Sequence, residues 1–447
     1  MDILHNLVYP QSPNHIELLQ YLFFLTLLLL LPYLSVLIGT TLFSLMHFRK
    51  GKKLNNRKSF VFAKEVIDIF TRNKVMSIGL GIAPMLSLTF VLAQLLFSSK
   101  LNPTPDLFFT LILFIAALVY IYIYKYSFTL KNIFTIVNVQ DITNQNLVNE
   151  FESLKESNSK LLSKSGLIGF VLLLIVAYLL IAVLSFIVTK ADVNSFYSLI
   201  LSPSAILYFL FYIAFSISIT TAAIIYKYFK HSEENYDPDY LTYVKNFTLK
   251  TGLIFTTVQP LLFVLYILAS PNISLNFGIF VAGAIVLLFM LVISIQYYLM
   301  YKDSKMHLGG STVFIFLILF AALIYKDQLA FDTKNSVSVN EQEKEYLAFA
   351  SKVKEEAGIK EVVVVSGKSI YDNKCSACHR FDRRLVGPAY NDVLPKYEGK
   401  RDQLIDFILH PRKINPELPT MPNQGLKPNE AEAIADYIVK VYHDSKK

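Results

Sequence analysis

The chain is 447 residues long, 54% hydrophobic and only 17% charged, with a formal net charge of +8. Soluble globular domains carry roughly 25% charged residues, so a purely soluble architecture is excluded and an integral membrane protein is indicated. The surplus of Lys and Arg does not point to nucleic acid, because it is concentrated in short stretches between apolar runs, where it reports topology.

Apolar runs of the roughly 20 residues needed to cross a bilayer occur near residues 17–47, 77–98, 106–128, 166–188, 204–227, 252–270, 277–300 and 308–326, which predicts eight transmembrane helices. Residues 1–16 contain no Lys or Arg, and the first run is too long for a signal-peptide core, so it is expected to stay as a helix. The first, third, fifth and seventh loops are lysine- and arginine-rich, from Arg49 to Lys74, Lys125 to Lys164, Lys227 to Lys250, and Lys302 with Lys305. The opposite side shows only Lys100 and Lys190 before the eighth span. The positive-inside rule then makes the first set cytoplasmic and places both termini on the periplasmic side of a bacterial inner membrane.

An internal repeat runs through these spans. A displacement of 176 residues places Lys74, Pro84, Leu86, Leu92 and Ala93 over Lys250, Pro260, Leu262, Leu268 and Ala269, and one of 180 places Thr40 and Thr41 over Thr220 and Thr221. The expectation is two four-helix halves in parallel orientation.

No Asp or Glu lies in the middle of a predicted span, since Glu17 and Asp106 sit at span ends. That weighs against an ion-coupled carrier, which needs such a group at depth. His47 and His307 form the only same-side histidine pair close to the membrane, and both read as interfacial polar residues, so no haem b is expected in the bundle. Gln94, Gln259, Thr256, Thr257, Pro32, Pro84 and Pro260 are candidates for a quinone pocket, because amide side chains and proline-freed carbonyls offer hydrogen bonds in an apolar wall. Helix packing is the plainer reading of the same residues.

Residues 327–342 are polar and aperiodic and read as a linker, followed by a short surface helix to about residue 360. From 361 to 447 the composition is that of a small soluble domain. It holds the chain's two cysteines, in the run Cys375-Ser376-Ala377-Cys378-His379. A C-x-x-C-H run reads as c-type haem attachment, with two thiols for the vinyl groups and an adjacent imidazole for the iron. A thioredoxin-like pair would need βαβ surroundings, and a zinc site would need further ligands. Met421, the only methionine after Met306, stands in Leu418-Pro419-Thr420-Met421-Pro422 and is the candidate sixth ligand. His410 and His443 are the fallbacks.

Over residues 361–445 the sequence resembles the class I monohaem cytochromes c. The attachment run is preceded by an aromatic helix (Gly367 to Asn373), and followed by Val386-Gly387-Pro388-Ala389-Tyr390, the methionine loop and a closing helix (Asn429 to Tyr442). The resemblance implies one covalent haem c on Cys375 and Cys378 with His379 and Met421 as axial ligands, and a Pro388 carbonyl that accepts from the imidazole N–H. It implies that Gly367, Ile370 or Tyr371 meets Tyr437 or Ile438 where the first and last helices cross. The chain has no Trp, so Tyr390 or Tyr397 is left for the propionate position that many members fill with one. The membrane part faintly resembles, in architecture alone, the quinol-binding subunit of bd-type oxidases, whose histidine ligands and Trp-containing motifs have no counterparts here.

The expected fold is therefore all-α: an eight-helix membrane domain (1–326), a linker with a short helix (327–360) and a periplasmic class I cytochrome c domain (361–447). The expected role is single-electron transfer between membrane respiratory subunits and a periplasmic redox protein. The alternative is a quinol-oxidising subunit of a larger complex, with a quinone site in the bundle. Arg380, Arg383, Arg384, Lys396, Lys400, Arg401, Arg412 and Lys413 are expected to form a basic collar for an acidic partner, unless they pair locally with Asp382, Asp402 and Asp406.

Overall fold

A computed structural model describes residues 11–96, 103–137, 144–188, 200–230, 236–270, 276–357, 366–416 and 418–444. Lys100 and Lys190, which entered the orientation argument, lie outside the described residues. The chain divides into two compact units, Met1–Ala348 and Phe349–Lys447.

The first unit is a helical bundle. Helix α1 (Pro13–Leu54) starts where the Ser12 hydroxyl accepts from the His15 amide, and it stops at Asn55, whose φ of 50° only a left-handed cap tolerates. Then follow α2 (Arg57–Thr71), α3 (Lys74–Leu95), α4 (Thr104–Ile136), α5 (Gln145–Val188), α6 (Pro203–Phe229), α7 (Pro238–Leu268), α8 (Phe277–Asp303) and α9 (Gly309–Glu356). Among the described residues eight helices are long and apolar enough to cross a membrane, all of these except α2. Helix α3 contains a π-helical turn over Ile78–Ile82, just before Pro84. Proline has no N–H to offer the ladder, and the wider turn absorbs the mismatch.

Two stretches differ from the sequence expectation. The charged first loop contains α2, an amphipathic helix that buries Phe62, Ala63, Val66 and Ile67 completely. Apolar residues at 62, 63, 66 and 67 follow the helical period, a signal masked by the surrounding Lys and Arg. The expected linker at 327–342 continues α9 instead, in one helix from Gly309 to Glu356. No Gly or Pro occurs between residues 311 and 357, so nothing local ends the helix once the apolar segment has nucleated it.

The second unit is built from α10 (Gly367–Ile370), which runs on as a π turn over Tyr371–Cys375, and from α11 (Tyr390–Val393), α12 (Arg401–Leu409) and α13 (Pro428–Asp444). Its core gathers Ile370, Tyr371, Leu394, Leu404, Ile408, Ile434 and Ile438. Helices α10 and α13 cross at backbone contact, since a Cβ added to Gly367 would stand 2.0 Å from the Ala433 carbonyl oxygen. Tyr371 and Tyr437 meet at this crossing, with ring centroids 5.8 Å apart, as the resemblance implied.

Candidate cofactor site

The site begins at Ser366, whose hydroxyl caps α10 by accepting from the Ser369 amide. The π turn then delivers Cys375, and the amides of Cys378 and His379 donate back to the Cys375 carbonyl at 3.1 and 2.9 Å. The C-x-x-C-H run is thereby wound into a tight turn with both thiols on its surface toward a cavity. The following loop folds back along the run. The Gly387 amide donates to Cys378 O (2.9 Å) and the Tyr390 amide to Arg380 O (2.9 Å).

That return places the Pro388 carbonyl 3.0 Å from His379 Nδ1, which donates to it. With Nδ1 protonated and held, Nε2 is the nitrogen with a free lone pair, which is the arrangement a metal-bound imidazole requires. Two further contacts fix the ring. The Tyr390 ring stacks on it at 5.0 Å and 19°, and a Cβ on Gly387 would lie 2.3 Å from His379 Cε1, so only glycine fits there. The Cys375 thiol is buried, and burial pushes its pKa up, partly offset by the Tyr390 hydroxyl.

Cys375, His379, Pro388, Tyr390, Tyr397 and Met421 all line a cavity of about 350 Å³ whose remaining walls are largely aliphatic and aromatic. An adjoining chamber of about 90 Å³ is lined by Cys378, Gly387 and Thr420, and again by Cys375, His379 and Met421. Two thiols, an oriented imidazole, a thioether and an apolar slot make a donor set that fits a covalently attached haem, and the glycine at 387 leaves room for the imidazole face. The fallback ligands do not share this cavity: His410 is exposed on Asp406 (3.2 Å), and His443 is exposed at the end of α13. Of the two tyrosines left for the propionate position, Tyr390 is committed behind His379, whereas Tyr397 is half-buried in the cavity wall.

The basic collar is exposed throughout. Lys396, Arg412 and Lys413 line the cavity. Arg412 contacts Asp406 at 3.3 Å, and Arg401 grips Asp436 at 2.6 and 2.8 Å, a partner that the sequence reading had not considered.

In the bundle, four of the residues expected to form a quinone pocket are engaged in hydrogen bonds to other protein groups. Gln94 Oε1 meets His15 Nε2 at 2.8 Å, Gln259 donates to Ser218 Oγ at 2.6 Å, and the hydroxyls of Thr256 and Thr257 donate to the carbonyl of Leu253 in their own helix. His47 shares a hydrogen bond of 2.6 Å with the Tyr243 hydroxyl and is boxed edge-on by Phe62 and Phe247. A charged pair also went unread. Lys326 and Asp327 are 1% and 6% exposed, 2.5 Å apart, with the Tyr208 hydroxyl donating to Asp327 at 2.6 Å. The eighth apolar helix runs on to Thr333, so a carboxylate does lie inside it. Lysine and aspartate side by side look like the start of a polar loop, and only the neighbouring helices show that they are enclosed.

The family model for cytochrome c matches residues 364–441. Cytochrome c-551 of Pseudomonas denitrificans is 36% identical over 78 residues, which is 17% of this chain and 95% of that protein. Cytochrome c-552 of Nitrosomonas europaea is 32% identical over 72 residues, 15% of this chain and 69% of that protein. Cytochrome c-552 of Hydrogenobacter thermophilus is 35% identical over 72 residues, 15% of this chain and 71% of that protein. No solved structure matches the chain.

Proposed function

The chain belongs to the cytochrome c family through its C-terminal unit, and on that premise we propose that it is a membrane-held carrier of single electrons with one haem c on Cys375 and Cys378. The observation that carries this reading is the convergence of both thiols, the His379 imidazole and the Met421 thioether on the chamber of about 90 Å³ that adjoins the larger apolar cavity. When bound, the haem supplies a one-electron couple between ferrous and ferric iron. Everything else is done by the chain. Pro388 holds the Nδ1 proton of His379, which directs Nε2 to the iron and sharpens its basicity. Tyr390 and Gly387 keep the ring from turning. Met421, a soft uncharged donor between Pro419 and Pro422, favours the reduced state and raises the potential.

The lysine- and arginine-rich ends of the spans, now including α2, support a cytoplasmic placement of that side. The C-terminal unit then lies on the periplasmic side of an inner membrane. Two four-helix halves are supported by a matching pair of buried contacts: Ser44 with Tyr124 (3.0 Å) and Thr221 with Tyr297 (2.7 Å). Each joins a hydroxyl late in the first helix of a half to a tyrosine of its third spanning helix, although the hydroxyl residues are 177 apart and the tyrosines 173, so the two pairs do not superpose in register in the repeat. The partners on this reading are other respiratory subunits in the membrane and a soluble periplasmic redox protein. The quinol-oxidising alternative retains one support, the Gln259 carbonyl oxygen, which is buried among α6 and α7 without a hydrogen-bond partner among the described residues.

Replacing Cys375 and Cys378 by Ala in the full chain should abolish haem staining on a denaturing gel, because these thioethers are the only covalent links available; persistent staining would overturn the assignment. Met421→Ala should lower the midpoint potential and remove the near-infrared sulfur-to-iron band, and an unchanged band would exclude Met421 as a ligand.

A further inference from the structure

On the first half of the bundle, α3, α4 and α5 leave a trough of about 560 Å³ that neither the haem nor the expected quinone residues use. It follows α4 from Ile115 to Leu130, about 22 Å at the helical rise of roughly 1.5 Å per residue. One leaflet of a bilayer is about 15 Å of hydrocarbon, so the trough spans a leaflet and reaches its interface.

The two ends differ in chemistry. Ile82, Ile115, Leu118 and Val119 make one end wholly apolar, while Lys74, Ser77, Ser127 and Asn158 gather at the other. That polar end lies where α3 begins and α4 finishes, within the lysine-rich belt. The ammonium of Lys74 stands over the Tyr126 ring at 5.3 Å and has no carboxylate partner among the described residues. Lys125, by contrast, is tied to Asp68 (3.2 Å) and to the Thr71 carbonyl. Asn158 is 5% exposed, donates its amide to Ser127 O at 3.0 Å, and keeps a carbonyl oxygen with no partner among the described residues.

We infer that this trough is a binding site for a diacyl phospholipid, with an acyl chain along Ile115 and Val119 and the phosphate on Lys74. An unpaired ammonium at the membrane interface finds its strongest available partner in a phosphate. A flat, neutral quinone ring fits less well. Tyr122 and Tyr126 stack on each other at 6.2 Å, and lysine ammonium groups already approach their rings, so their faces are engaged.

The test uses delipidated full-length protein in a neutral detergent, titrated with phosphatidylglycerol and separately with diacylglycerol of the same chains, with binding read by native mass spectrometry. Phosphatidylglycerol should bind at least tenfold tighter than diacylglycerol, and Lys74→Gln should reduce that ratio to under threefold. Val119→Trp, which fills the trough from its exposed side, should weaken both lipids at least tenfold. Lys302→Gln removes a lysine that stands over Tyr298 outside the trough and should change nothing. Equal binding of the two lipids, a ratio untouched by Lys74→Gln, or full affinity in Val119→Trp would each overturn the site, as would an isoprenoid quinone that displaces phosphatidylglycerol from the parent but not from Val119→Trp.

Discussion

In the bundle the largest buried side chains are tyrosines and phenylalanines that meet one another, as where Phe215 packs on Phe320 and Tyr208 on Tyr266. In the C-terminal unit the buried aromatics are Tyr371, Tyr390 and Tyr442, and Tyr390 instead borders a cavity where a core would otherwise be. The bundle thus completes its packing from its own residues and from lipid, whereas the small unit depends on a group that the chain must acquire. A domain of that size buries too little surface to be stable by a wide margin, so the haem serves as core as well as electron carrier.

The sharpest way to break this comparison is to withhold the haem. At about 24 cal/mol per Å³, an unfilled cavity near 350 Å³ would cost at most about 8 kcal/mol, against a typical domain stability of about 5–15 kcal/mol. The Cys375→Ala, Cys378→Ala protein should therefore lose protease resistance across residues 366–444 while α1 to α8 stay protected. Limited proteolysis with mass-spectrometric mapping checks this, and equal protection of both units would refute the dependence.

The converse break lies in the bundle. Lys326→Met leaves Asp327 buried beside Tyr208 without its cation, and removing one partner of a buried pair costs about 3–5 kcal/mol. Replacing both, as Lys326→Met with Asp327→Leu, should restore most of the loss, because the desolvation of both charges is then avoided. Denaturant unfolding in detergent micelles, followed by tyrosine fluorescence, gives the two values. A double variant as unstable as the single one would mean that the pair is not what matters.

The two regions were also unequally legible. The eight spans follow from apolar length, which is a property of composition over a window and survives any error of a few residues. The candidate haem ligands follow from spacing, since Cys375, Cys378 and His379 fall within five residues and Met421 is the sole methionine of its region. What stayed hidden was decided by neighbours far off in sequence. The Lys326–Asp327 pair is buried by α6 and α7, and α2 is a helix because its apolar face has α1 to rest on. Arg401 reaches Asp436 across α12 and α13, although Asp402 is next to it in the chain. Adjacent helical residues point about 100° apart, so the near neighbour in sequence was the wrong partner to expect.

Glycine crossings provide a finer comparison of the same two regions. Added Cβ atoms at Gly367 and Gly39 would each come within 2.0 Å of another atom, but at Gly367 that atom is the backbone oxygen of Ala433 and at Gly39 it is the Thr220 hydroxyl. Overpacking costs about 1–3 kcal/mol. Gly367→Ala should fall at the upper end, since α13 must move as a whole against backbone at 2.0 Å, and Gly39→Ala below it, where the Thr220 hydroxyl can rotate away and the Thr220 Cβ at 2.6 Å is left to oblige a shift of α6. Unfolding midpoints of each variant against the parent give the order, and the reverse order would show that α10 and α13 can separate more easily than their contact implies.

The smallest effect expected is that of the exposed Arg401–Asp436 pair. The guanidinium's hydrogen bonds hold the Asp436 carboxyl below its ordinary pKa. A carboxyl whose folded pKa is depressed stabilises the fold above its unfolded pKa, near 3.9, and loses that contribution as pH falls through the folded value. Both side chains are about half exposed, so solvent limits the contribution to about 0.2–1 kcal/mol. At pH 7 the parent should exceed Asp436→Asn in stability by that amount. On acidification toward pH 3 the difference between the two should shrink, while other carboxyls, common to both proteins, cancel. If the difference is instead constant with pH, the pair acts through its geometry, clamping α12 to α13 by hydrogen bonds that asparagine cannot reproduce, and charge contributes nothing measurable.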